Sequence, residues 1–194
     1  MAYNSTTWST GVSTTSVSNS NLTQYAYFGC GSGIMSGLSL GTHYAIPFNN
    51  TIIGSGDNDV DFGTGTDPAT TFTTADTDTQ YASQIVPMIW YVPDNIYIDA
   101  VYSIEGADDA TGDTTRMHLM SYAYTSGSTS TLTDGTVLAS NSDVTNAGNE
   151  QTYLSTWTVS SNSVAAGRVI LAFVRADSVN SDYSLNIVCK YHLT

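Results

Sequence analysis

Hydrophobic and polar residues alternate with a period of two over much of the second half of the chain. Ile96, Ile98, Ala100, Tyr102 and Ile104 interleave with Tyr97, Asp99, Val101, Ser103 and Glu105. Alternation of this kind sends the two sets to opposite faces of a β-strand, and the even-numbered set is expected to face a core. Met117, Leu119 and Ala123 likewise oppose Arg116, His118, Met120 and Tyr122. Thr152–Val159 alternates again. Val169, Leu171 and Phe173 share one face between Arg168 and Arg175, and Tyr183, Leu185, Ile187, Cys189 and Tyr191 share one face of the last strand. Gln84–Val92 reads as a strand whose Pro87 predicts an edge or a bulge. Asp134-Gly135 carries hairpin-turn chemistry, and Ala107–Asp113, Gly167 and Asp177–Asp182 read as turns or loops. Strands punctuated by turns, without a helical period, predict an all-β fold, an antiparallel sandwich or barrel. Its core is expected to hold Ile98, Tyr102, Leu171, Phe173, Leu185 and Ile187.

The first 80 residues follow another pattern. Residues 1–42 are dominated by Ser, Thr, Asn and Gly, and the stretch from Ser9 to Asn21 has only Val12 and Val17 as apolar content. Alone, such a segment buries too little surface to offset its ordering entropy. It is read as an N-terminal arm held by a partner, most simply a neighbouring subunit, with Trp8, Leu22, Tyr25, Tyr27 and Phe28 as its anchors. Residues 43–80 alternate short apolar pieces with Gly/Asp/Thr loops and read as a transition segment packing on the core. Residues 81–194 are expected to form the main domain.

Composition narrows the partners. Ser and Thr supply 54 of 194 residues, while the only basic residues are Arg116, Arg168, Arg175 and Lys190. The surface must therefore be built from hydroxyls, amides, tyrosines and aspartates, which suits a pleated sheet better than a helix. The net charge of −13 argues against nucleic acid, because phosphate binding needs clustered cations. No apolar run approaches the ~20 residues of a membrane-spanning helix. The first residues lack the basic and apolar parts of a secretory signal, so a cytosolic origin and a soluble product are expected. Cys30 and Cys189 are too few for a disulfide framework and read as small buried hydrophobes.

Little catalytic chemistry stands out. Gly37–Gly41 matches G-x-S-x-G around Ser39, but that motif needs a strand-to-helix turn, and the following Thr42–Pro47 is no helix. Asp57, Asp59 and Asp61 have the alternating carboxylates of a calcium loop, yet the sixth and twelfth positions are Phe62 and Pro68 instead of Gly and Glu. They are a weak calcium candidate, as are Asp108, Asp109 and Asp113; solvated acidic turns are the plainer reading, and no cofactor is expected. His43, His118 and His192 show no metal-ligand spacing. The two glutamates, Glu105 and Glu150, select no acid–base pair. Tyr97 and Tyr153 are candidates for exposed contacts with a glycan.

The segments Ile85–Val101, Thr115–Met120, Val164–Val174 and Tyr183–Tyr191 together resemble the jelly-roll modules of tailed-bacteriophage virion surface proteins. The likeness is one of general pattern and covers just over half the chain. It implies a tumour-necrosis-factor-like sandwich, homotrimer formation, and a place on the capsid as decoration protein or head fibre, or at the tip of a tail fibre. It supplies no catalytic residues. The leading expectation is a non-enzymatic virion protein that binds the major capsid protein and sister subunits. The alternatives are a receptor-binding tail-fibre module recognising cell-surface glycan and a polysaccharide-active enzyme.

Overall fold

The computed structural model describes residues 22–29, 41–49, 62–72, 86–108, 112, 114–124, 127, 132–145, 151–176 and 182–194. In chain order the strands are β1 (Gln24–Gly29), β2 (His43–Ile46), β3 (Trp90–Tyr91), β4 (Ile96–Asp108), β5 (Thr114–Tyr124) and β6 (Leu132–Ser140), followed by β7 (Val144–Thr145), β8 (Gln151–Thr156), β9 (Thr158–Val159), β10 (Ser163–Val164), β11 (Arg168–Ala176) and β12 (Asp182–Leu193). The described residues contain no α-helix. The strands form two antiparallel sheets packed face to face, a β-sandwich. Sheet A has the order β1-β12-β4, with β8 and β10 both pairing the far edge of β4; sheet B runs β2-β11-β5-β6-β9, with β3 beside β11 and β7 beside β5. Reduced to the strands of four or more residues, the orders are β1-β12-β4-β8 and β2-β11-β5-β6. Neighbours are mostly distant in sequence and the chain passes repeatedly between sheets, which is the winding of a jelly roll.

The inner faces build one core. Phe28, Ile46, Ile98, Val101, Met117, Leu119, Trp157, Ile170, Val174, Leu185, Ile187 and Cys189 belong to it. A second apolar cluster lies on the other side of sheet B. Met120, Tyr122, Val169, Leu171 and Phe173 face outward there and are covered by Phe62, Phe72 and Met88. Phe62 contacts Phe72 at 4.5 Å and Phe173 at 4.8 Å between ring centroids. Both faces of β11 are therefore buried, which explains its unbroken apolar run. The segment 62–72 is fastened by paired backbone hydrogen bonds between Phe72 and Leu132 and by the Tyr122 hydroxyl donating to the Ala69 carbonyl at 2.9 Å.

Several expectations need correction. Residues 24–29, assigned to a separate arm, are a strand of sheet A paired along their length with β12. Phe28 is fully buried against Phe48 and Trp90. The boundary at residue 42 misplaces it: of its three aromatics read as anchors for a partner, Phe28 fills this protein's own core, and only Tyr25 and Tyr27 point outward from the strand. Residues 43–46, assigned to a transition segment, are strand β2 of sheet B. Pro87 lies in a 3-10 turn at Val86–Met88, and among the described residues of the expected strand only Trp90–Tyr91 is a strand. Asp134-Gly135 closes no hairpin. It lies inside β6, where two residues stand opposite Tyr122, with Asp134 at φ 52°. The bulge uses the same left-handed backbone that a hairpin would. A Cβ at Gly135 would meet Thr70 Cα and Tyr122 Cε1, each at 2.7 Å, so glycine permits the close approach of the 62–72 segment.

The even-numbered alternation of β4 also fails beyond Ile98. Lys190 pairs with Ala100 and Tyr191 with Ile98, leaving Asp99 as an extra residue. This bulge reverses the faces. Ile96 and Ile98 point into the core, but past Asp99 the inward residues are Val101, Ser103 and Glu105. Tyr102, expected in the core, is 38% exposed.

Candidate interaction surface

The reversal at Asp99 puts large apolar side chains on the outside of sheet A. Register fixes their neighbours. One row across the sheet is Tyr27, Val188, Tyr102 and Thr156; the next is Gly29, Asn186, Ile104 and Leu154; a third begins Tyr25, Lys190 and Ala100. Ile104 is 55% and Leu154 76% exposed, and Tyr25 and Tyr27 are exposed as well. These three rows contain no carboxylate, although the chain carries 17 acidic residues. Of the four basic residues Lys190 alone lies here; the three arginines belong to sheet B. Contiguous apolar surface of this kind makes the outer face of sheet A a candidate contact surface.

The expected arm contacts divide on this geometry. Tyr25 and Tyr27 point outward from β1 and join the surface, and Leu22 is exposed just before it. Phe28 faces the protein's own core and is unavailable to a partner. Trp8 lies outside the described residues. The two tyrosines proposed for glycan contact are not brought together. Tyr97 pairs across from Ser163 and its ring lies 5.2 Å from that of His192. Tyr153 pairs with Glu105, eight positions further along β4, or about 26 Å at the usual rise per residue. Ile104 and Leu154 are not legible in sequence as surface residues, because a strand pattern does not reveal where an extra residue shifts it.

Among the described residues, few polar groups lie inside the sandwich. Glu105 is 2% exposed and accepts a hydrogen bond from the Thr115 hydroxyl at 2.8 Å. Burial pushes its carboxyl up to about 7, against the lowering effect of the Thr115 bond. A raised carboxyl is a feature of general acids, but this one is enclosed between the sheets. Nearby, the Trp157 indole donates to Ser103 Oγ at 2.9 Å. Cys189 is a free, buried thiol, held up at about 12 chiefly by burial and then by Asp99. It is a core residue, as the sequence suggested.

A second polar group lies on the outer side of sheet B. His43 and His118 are both fully buried with ring centroids 5.2 Å apart. His43 Nδ1 donates to the Gly63 carbonyl at 2.8 Å, and His118 Nε2 lies 3.2 Å from the exposed Asp67 carboxylate. Burial, then His43, and also Arg116 push His118 down to about 4, with Asp67 opposing them. The pair was invisible in sequence, where the two histidines are 75 positions apart. Among the described residues no group of three or more His, Cys, Asp or Glu side chains is arranged to hold a metal ion. Asp57, Asp59 and Asp61, Asp109 and Asp113, and Ser39 lie outside the described residues, as does the side chain of Asp108.

The chain matches no model of a known protein family and no curated protein.

Proposed function

We propose that this chain is a non-enzymatic structural protein on the outside of a tailed-phage particle, a capsid decoration protein or short head fibre. It acts by binding, first to copies of itself and then to the major capsid protein. The observation that carries the binding role is the carboxylate-free surface of tyrosine and aliphatic side chains on sheet A. A protein of charge −13 repels its own copies at long range, so a stable self-contact requires a face without acids. The resemblance of the strand segments to virion jelly-roll modules supports the phage setting and a homotrimer. Imaging of labelled protein on purified virions tests the assignment. Label distributed over the head supports decoration; label confined to the tail points to a fibre; absence from the particle rejects the reading.

A second reading has one observation in its favour. Tyr25, Tyr27 and Tyr102 lie on the same face, and flat aromatic rings in rows suit stacking against sugars. In that reading the module recognises a cell-surface glycan. Glycan binding lost in Tyr102→Ala, without change of oligomeric state, would favour it over self-assembly.

A further inference from the structure

Arg175 on β11 stands directly opposite Arg116 on β5. The chain has only four basic residues, and two of them occupy one cross-strand pair. Like charges so placed destabilise a sheet. The neighbouring position across β11 from Arg175 is His43, so the row adds a third nitrogen base. Among the described residues the compensation is thin. Arg116 Nη1 lies 3.4 Å from Asp143 Oδ1, and that carboxylate is 60% exposed, which makes the pair weak and replaceable. Arg116 Nε is buried and has no hydrogen-bond partner among the described residues, an arrangement that costs free energy. Beside these groups is a cavity of about 130 Å³ lined by Thr114, Thr115, Arg116, Asp143, Arg175 and Ala176.

We propose that Arg116 and Arg175 form a binding site for a small oxyanion of the phosphate or carboxylate class, seated in this cavity. Two guanidiniums offer forked donors that match either anion, and such charge-assisted bonds are the strong ones. A bound anion relieves the arginine repulsion. The chain's strong negative charge disfavours a polyanion but leaves a small ion free to enter. Asp143 competes for Arg116, so it sets an upper limit on affinity.

The test is titration of the full chain with inorganic phosphate and, separately, with acetate. Ionic strength is held constant with sodium chloride, and binding is followed by backbone amide shifts. Saturable shifts at Thr114, Thr115, Arg116 and Arg175 are expected with at least one of the two anions. Which anion saturates distinguishes a phosphate site from one that takes a carboxylate, whether free or on another protein. Arg116→Gln and Arg175→Gln should each weaken binding about tenfold or more, the scale of a hydrogen bond to a charged group. Asp143→Asn should tighten it by about twofold to fivefold, the scale of an exposed ion pair. Without anion, Arg175→Gln should melt no lower than the unmodified protein, because it removes a like-charge contact. Absence of saturation with both anions overturns the proposal. So do shifts confined to other regions, or unchanged affinity in both arginine variants.

Discussion

The Asp99 carboxylate meets His192 Nδ1 at 3.0 Å, from the one residue of β4 that has no partner on β12. The bulge is bracketed on its other side by backbone bonds, Ile98 N–H to the Asn162 carbonyl and Trp157 N–H to the Val101 carbonyl. Asp99 thus sits where the two halves of β4 change face. Its side chain is tied to the strand it slips against. The extra backbone residue matters more than the carboxylate. Asp99→Ala should cost about 1 kcal/mol or less, since the pair is partly exposed. Deleting residue 99 would turn Tyr102 and Ile104 inward and Val101 outward, and should abolish cooperative unfolding in urea. A deletion variant with native stability would show that the bulge does not set the register.

Glu105 and His118 predict opposed pH effects. The Glu105 carboxyl titrates near 7 in the folded protein against an ordinary 4.5. Between these values the native state holds a proton that the unfolded state has lost, so stability falls as pH rises. His118 titrates near 4 against an ordinary 6.5. There the unfolded state holds the extra proton, and stability rises with pH. From about pH 4.5 to 6.5 the two slopes, each about 1.4 kcal/mol per pH unit, largely cancel. Glu105→Gln removes one of them. Relative to the unmodified protein, the variant should gain stability as pH rises from 4.5 to 7, by up to about 3 kcal/mol. Denaturant midpoints measured at intervals across that range check this; a pH-independent difference would reject it.

Truncation distinguishes the two parts of the N-terminal region. Removing residues 1–42 deletes β1, uncovers the edge of β12 and empties the space filled by Phe28. That variant should fail to fold. Removing residues 1–21 leaves β1 intact and should keep the native circular dichroism and a cooperative melt. Phe173→Ala, deep in the outer cluster of sheet B, should cost about 3–5 kcal/mol. A truncation of residues 1–42 that melts like the full chain would remove β1 from the essential fold.

These cases show which parts of the structure the sequence makes legible. The alternation of β5 and β12 identified both strands, and in β12 the inward Leu185 and Ile187, because nothing interrupts their period. The all-β class followed from the same pattern. In β4 the pattern misled at one residue, since a bulge leaves no mark on hydrophobicity and its consequence appears only in pairing with β12. Asp134-Gly135 misled for a related reason: a left-handed residue serves a bulge as well as a turn. The second cluster was hidden because Phe62 and Phe72 look like isolated aromatics in polar loops. The apolar outer face of sheet A was hidden with the bulge, and the arginine pair because residues 116 and 175 meet only through the sheet.

Self-assembly is the prediction on which the proposed function depends most directly. The surface on sheet A spans four strands, with Ile104 and Leu154 adjacent on neighbouring strands near one edge and Tyr25 and Tyr27 on β1 at the other. Light scattering should give a mass above the 20.6 kDa of one chain, near three times that value for a trimer. Ile104→Asp or Leu154→Asp places a carboxylate at a desolvated contact, where an unpaired charge is strongly unfavourable. Each should yield monomer. Both side chains are exposed within a single chain, so neither change should lower the monomer's own melting temperature by much. The contact lacks carboxylates and has Lys190 as its one cation, so raising salt from low to moderate concentration should leave the oligomer intact. A monomer at micromolar concentration for the unmodified chain would reject stable self-assembly in free solution. A trimer unaffected by either aspartate would move the subunit contact to another face and leave sheet A to a different partner.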